Sequence, residues 1–215
     1  MNRQHVEEML AMQDKLNCTV NPNWLTAEYP WHRAMYAEAV EAMDHYGWKW
    51  WKDVGQYTMG QIQLELVDIW HFAMSSILAH QGGDIENSAD VITGYFQHLE
   101  DDPDVFGEIT NVSTHQLFDL LAGSAALQRQ LNGPAFNMLM KTFDLTWDKL
   151  YAIYMGKNVL NMFRQANGYK EGTYKKMWGG VEDNEVLESL MTLHPNATAE
   201  RLTELLGKNY ALAIE

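Results

Sequence analysis

The stretch Gln61-Ile62-Gln63-Leu64-Glu65-Leu66-Val67-Asp68-Ile69-Trp70-His71-Phe72 constrains the fold more than any other. Its apolar residues occupy nearly every angular position of a helix, and a helix with no wet face belongs in the middle of a bundle. It nevertheless carries two acids. Glu65 and Asp68 are three residues apart, so their carboxylates leave one face, and His71 extends that stripe by a further turn. A carboxylate buried alone is strongly unfavourable, so this pair requires cations close by, and a metal ion is the simplest.

A second pair precedes it. Over Trp31 to Tyr46 the apolar positions Trp31, Met35, Val40, Ala42 and Met43 mark a core-facing side, and Glu38 and Glu41 are again spaced i, i+3. Taken alone, a Glu-x-x-Glu on a helix is usually a solvated acidic face. Two helices joined by roughly a dozen residues can, however, lie antiparallel with all four carboxylates facing one another. Four such groups repel unless divalent cations lie between them. Hard oxygen ligands without cysteine favour Mg²⁺, with Mn²⁺ as the alternative, over Zn²⁺. Neutralising Glu65 or Asp68 is expected to relieve repulsion and to leave the metal-free fold intact.

Composition narrows the classes. A chain of 215 residues with 47% hydrophobic residues can bury a substantial core, and one domain over 1–215 is the natural expectation. The net charge of −14 argues against a duplex nucleic-acid binder, although it leaves a nucleotide substrate open. The single Cys18 excludes an internal disulfide and a Cys-rich zinc site, which suits a reducing cytoplasm. With no signal-peptide pattern and no apolar run of membrane-spanning length, a cytoplasmic protein without membrane partners is expected.

Along the chain, Val6 to Asn17 reads as an amphipathic helix on which Gln13 and Asn17 share one side, as an ordinary polar edge would. Trp48-Lys49-Trp50-Trp51-Lys52 follows the first acidic helix; rings so dense are expected to pack partly inside, with one lining a pocket. Thr58 and Gln61 have capping-box spacing at the head of the central helix, which runs to about His80. Two or three helices should fill 84–132, broken around Asp101-Asp102-Pro103, with Asn111-Val112-Ser113 opening the second part. Gly133-Pro134 starts a short helix to Phe143, and Thr146 caps a longer one from Trp147 to about Ala166. No alternating strand pattern of useful length occurs, so the class is all-α.

The end of that helix carries a local basic cluster in an acidic chain. Lys157, Asn161 and Arg164 fall at i, i+4 and i+7, and Lys170-Glu171-Gly172-Thr173-Tyr174-Lys175-Lys176 follows as a glycine-containing loop. Such a patch suits phosphate oxygens, and Arg can hold two at once. A solvated helix end favoured by the macrodipole has the same spacing. An acidic metal cradle together with a cationic one is the equipment for metal-assisted hydrolysis of a phosphoanhydride.

These motifs, namely Leu16-Asn17, Glu38-x-x-Glu41, the Trp48 to Lys52 run, Glu65 to Phe72, Lys157 to Tyr169, Gly172 to Lys176 and Glu182-Asp183-Asn184, occur in one order. In that order the chain resembles the dimeric all-α dUTPases of the all-α NTP pyrophosphatase superfamily, which includes the MazG-type enzymes. The resemblance covers roughly residues 6–80 and 145–190; residues 84–143 carry no recognisable motif. It implies Mg-dependent hydrolysis of dUTP, and of dUDP, to dUMP by a homodimer with a mobile C-terminal loop. It also implies that Glu38, Glu41, Glu65 and Asp68 hold Mg²⁺, with Glu38 acting on the attacking water. Gln13, Asn17, Trp51, His71 and Phe72 would surround uracil and deoxyribose. Lys157, Asn161, Arg164, Tyr169, Lys176 and Asn184 would grip the phosphates. Phage dCTP/dUTP pyrophosphatases share several of these signatures, so dual specificity is the close alternative. A non-catalytic helical interaction protein is the distant one.

Overall fold

The computed structural model describes residues 1–53, 57–102 and 111–214. The first helix, α1, spans Arg3–Val20, longer at both ends than its apolar pattern suggests, because the Asn2 side chain accepts from the Gln4 N–H and caps it. After a 3₁₀ turn at Trp24–Thr26, α2 spans Trp31–Tyr46 and stops at Gly47. The central helix α3 spans Met59–His80. Thr58 precedes it in an extended conformation, but its side chain caps nothing and the expected capping box is absent. Gln61 is diverted, its amide donating to Glu188 across 2.9 Å.

Helices α4 (Ile85–Asp101) and α5 (Thr114–Gly123) follow, the latter opened by a Ser113–Gln116 capping box and prolonged by a π turn at Ser124–Gln128. The expected break falls at the end of α4, while Pro103 lies outside the described residues. Helix α6 spans Gly133–Thr142 and α7 spans Trp147–Ala166, its Thr146 hydroxyl accepting from the Lys149 N–H.

Around α3 the neighbouring helices close the main apolar core. It touches α1, α2, α4, α6 and α7, and Ile62, Leu66, Val67, Ile69 and Trp70 are wholly inaccessible, as a helix without a wet face requires. Trp70 stacks on Phe136 and meets the edges of Phe96 and Trp147, so the motif-free middle section supplies much of the packing around the central helix.

Beyond α7 the chain forms a hairpin of β1 (Met177–Trp178) and β2 (Val181–Glu182), then α8 (Asp183–Leu193) and α9 (Ala199–Ile214). The strands are too short to show alternation, yet Gly179-Gly180 between them, both at positive φ, is a recognised two-residue hairpin signal. The class remains all-α. A second apolar cluster joins Val159, Leu160 and Phe163 of α7 to Trp178, Leu187, Leu190, Leu202, Leu205 and Leu206. It fixes the hairpin and the start of α8 against α7. Among the described residues, no helix is long and apolar enough to cross a membrane.

Leu206 is fully buried in this second cluster. Leu206→Ala should lower stability in urea unfolding by about 2–5 kcal/mol through cavity formation. A loss below about 0.5 kcal/mol would show that α9 contributes little to the folded state.

Candidate active site

A cavity of about 450 Å³ opens where α1, α2, α3 and α7 meet the head of α8. Its size is that of a small-molecule site. Four carboxylates line it, Glu38 and Glu41 from α2 with Glu65 and Asp68 from α3, as the paired i, i+3 spacings require once the two helices pack together. Oxygens of Glu38, Glu65 and Asp68 lie within 4.8 Å of one another, and so do ligand atoms of Glu41, His45 and Glu65. The crowding shows in their acidity. Burial, then the charges of Asp68 and Glu65, push the Glu38 carboxyl up to about 8, so at neutral pH it keeps a proton and shares it with Glu65. Burial and Glu65 also raise Glu41, against the pull of Lys176 and His45. His45 is raised in turn by its contact with Glu65 at 3.5 Å. Sequence reasoning missed His45, although it stands four residues after Glu41 on the same face.

The opposite wall is cationic and amide-rich. Arg164, Asn161, Gln165 and Tyr169 come from the end of α7 and the turn after it, Lys176 from the loop, and Asn184 from the first turn of α8. Arg164 is not a solvated helix end. Its Nε and Nη2 donate bidentately to Asp183 at 2.8 Å each, Nη2 also reaches Asn184 at 3.1 Å, and Nη1 donates to Asn161 at 3.1 Å. Burial alone would raise Asp183, but the guanidinium and the Tyr174 hydroxyl at 2.7 Å hold it below its ordinary value. Asp183 thus orients the arginine fork, a role that its sequence neighbour Asn184 gave no reason to expect. At the turn itself Gly168 has φ 89°, and its carbonyl accepts from the N–H groups of Thr173 and Tyr174, folding the loop back toward the cavity.

Gln13, Asn17, His71 and Phe72 line the cavity's inner end with Trp24, Tyr29 and Trp31. Gln13 and Asn17 are buried and bonded to each other at 3.0 Å, not an exposed polar edge. Burial drives the His71 imidazole down to about 4, so it is neutral at physiological pH.

Two of the expected site residues lie elsewhere. Trp51 is exposed and, among the described aromatic rings, meets only the edges of Trp48 and Trp50. The whole Trp48 to Lys52 run stays on the surface because Trp48 and Lys49 are tied back to Asp44. The cavity's aromatic wall is built instead by Trp24, Tyr29 and Trp31, whose spacing carries no signal. Lys157 is the second case. It is fully buried three residues beyond Tyr154, with its ammonium 2.7 Å from Asp68 and 2.8 Å from Asn184. It therefore balances an acid inside the protein and does not line the cavity.

This pairing overturns the expectation that neutralising Asp68 would spare the fold. Asp68→Asn removes the counter-charge of a buried ammonium and should cost about 3 kcal/mol in urea unfolding, whereas Glu65→Gln should change stability by less than about 1 kcal/mol. Equal losses would show that Lys157 does not depend on Asp68. For His71 the sign follows from its lowered pKa: the unfolded chain takes up a proton that the folded protein refuses, so stability falls as pH drops from the ordinary 6.5 toward 4. Between pH 7.5 and 5 the stability gap between the parent and His71→Asn should narrow by about 2 kcal/mol. A constant gap would mean that His71 is protonated in the fold.

No curated protein matches the chain. Residues 5–169, from α1 through the turn after α7, match the dUTPase family, a span that holds all four carboxylates, the inner amides and Arg164. The chain belongs to the dUTPase family.

Proposed function

We propose that the protein hydrolyses dUTP, and dUDP as a second substrate, to dUMP in a Mg²⁺-dependent reaction, with Mn²⁺ as a substitute ion. The observation that carries this reading is one cavity with four carboxylates on one wall and Arg164, Lys176, Asn161, Tyr169 and Asn184 on the other. An all-oxygen donor set fits Mg²⁺, and the proton that Glu38 retains marks a negative charge too dense to exist without a cation. Glu38, Glu41, Glu65 and Asp68 would hold the ion, which when bound polarises a phosphoryl oxygen and acidifies water.

The remaining chemistry belongs to the side chains. Glu38, freed of its own proton where a cation offsets the surrounding charge, takes the proton from the attacking water as the water oxygen bonds to phosphorus and the anhydride oxygen leaves with the pyrophosphate, or with phosphate from dUDP. Lys176 and the Nη1 edge of Arg164 offset charge gathering on the leaving group, and Asn161, Tyr169 and Asn184 fix the orientation of the phosphate chain. Lys157 acts indirectly by holding the Asp68 carboxylate in place through their 2.7 Å contact. Phe72 and Trp31, 6.4 Å apart between centroids, give the base an apolar wall, and Gln13, Asn17 and His71 face its polar edge and the sugar. The protein works as a homodimer in the cytoplasm, where the nucleotide pool is.

Release of pyrophosphate from dUTP, dCTP, dTTP and UTP, and of phosphate from dUDP, with and without Mg²⁺, tests this directly. Turnover should need the metal and favour dUTP and dUDP, and Glu65→Gln should lower kcat by roughly 10²-fold or more. Equal dCTP turnover would assign dual specificity. Silence across the panel would exclude the reaction, and a monomer in analytical ultracentrifugation would exclude the dimer.

A further inference from the structure

Behind the inner wall of the cavity runs a chain of buried polar groups that begins at a residue outside the cavity. Ser75 is wholly inaccessible, one turn after His71 on α3. Its hydroxyl donates to the His71 carbonyl at 2.9 Å, a group that can only accept. The Ser75 oxygen is then left to accept, and Asn17 Nδ2 donates to it at 3.0 Å. Asn17 Oδ1 must in turn accept from Gln13 Nε2, at 3.0 Å. That leaves Gln13 Oε1 facing His71 Nδ1 at 2.6 Å, which donates, and the Tyr154 hydroxyl at 3.0 Å, whose single proton is shared with the Met9 carbonyl at 2.9 Å. The Tyr154 ring stacks on His71 with centroids 4.1 Å apart and clamps the imidazole in this pose.

The consequence reaches the ligand. With its proton on Nδ1, His71 keeps a bare Nε2 lone pair that is buried and has no partner among the described residues. Asn17, whose Nδ2 spends one hydrogen on Ser75, keeps the other. Both residues line the cavity, which is therefore offered one donor and one acceptor of fixed polarity. The same four side chains have a reversed arrangement, with both amides turned over, Gln13 Nε2 donating to His71 Nδ1 and the His71 proton on Nε2. Reversal would offer the cavity an acceptor at Asn17 and a donor at His71.

We propose that Ser75 is a positioning residue for base selectivity: its bond to the His71 carbonyl fixes the direction of the Asn17–Gln13–His71 relay and so matches the cavity to uracil in preference to cytosine. This rests on the reading of the cavity as a deoxynucleotide site. The imide edge of uracil carries a carbonyl acceptor beside an N–H donor, complementary to the Asn17 N–H and the His71 lone pair. The edge of cytosine carries the opposite pair, an amino donor beside a bare ring nitrogen, complementary to the reversed relay. The Ser75 hydroxyl makes two bonds in the observed direction and one in the reverse, a bias of about one hydrogen bond that offsets the bond the Tyr154 oxygen, with its proton on the Met9 carbonyl, would accept from Gln13 Nε2 in the reverse.

The test is Ser75→Ala, which removes one oxygen from the interior of a helix where alanine is well tolerated. The ratio of kcat/KM for dUTP to that for dCTP should fall about tenfold, and Ser75→Thr, which keeps the hydroxyl, should restore it. A residue needed only for packing would lower both substrates alike, so an unchanged ratio overturns the proposal. Two-bond ¹H–¹⁵N spectra of the substrate-free protein, with the His71 signals assigned by their loss in His71→Asn, provide an independent readout. The parent should show the Nδ1–H form, and in Ser75→Ala the two ring-nitrogen shifts should move toward each other. An Nε2–H parent, or shifts untouched by the substitution, also overturns it. If the parent hydrolyses neither nucleotide while the shifts move as expected, the relay stands and the dUTP reading falls.

Discussion

Placing ionised carboxylates within a helical core is the constraint from which the rest of the structure follows. Glu65 and Asp68 sit on α3, the helix that most other elements surround, and neither can be ionised there without compensation. The protein supplies it unevenly. Asp68 receives the buried ammonium of Lys157, while Glu65 has the partly exposed His45 and otherwise faces the acids of α2. Glu38 resolves the excess by retaining its proton. One acid is thus settled by the fold, and the others are left short of positive charge on the cavity side.

The cationic wall follows the same economy. Arg164 is buried beside Asp183 in a bidentate pair, with Tyr174 and Asn184 completing the set, so its guanidinium is held in one orientation before anything enters the cavity. Most of its donors are committed, and Nη1 faces outward with Asn161. Asp183 and Asn184 stand at the head of α8, which the second apolar cluster anchors to α7. The C-terminal helices therefore serve the site although they contribute few lining residues themselves, and they lie beyond the segment that matches the family.

Between these walls the inner end is neutral but directional. His71 is kept uncharged by burial, and its neighbours are amides and hydroxyls, with hydrogen bonds donated in one sense from the imidazole through Gln13 and Asn17 to the Ser75 oxygen. On the proposed reading, a charged phosphate end and a neutral base end within one cavity would separate two tasks, holding a polyanion and telling one pyrimidine from another.

What the sequence determined by itself is what a helix fixes locally. Residues three and four apart share a face, so the Glu38/Glu41 and Glu65/Asp68 pairs, the alignment of Asn161 with Arg164, and the bounds of α2, α3 and α7 were legible from spacing alone. The lack of any alternating strand pattern of useful length decided the all-α class. Tertiary structure decided which partner each of those faces meets, because that depends on elements far apart in sequence. Lys157 shares its stripe with Arg164 yet lies two turns deeper, against Asp68, and so neutralises an acid instead of facing the cavity. The tryptophans at 48–51 look like a binding wall, but Asp44 holds them to the surface, and Trp24, Tyr29 and Trp31 take that place. Ser75 and Tyr154 read as ordinary helix residues, and only the packing of α1 against α3 and α7 joins them to Gln13 and Asn17 in a single relay.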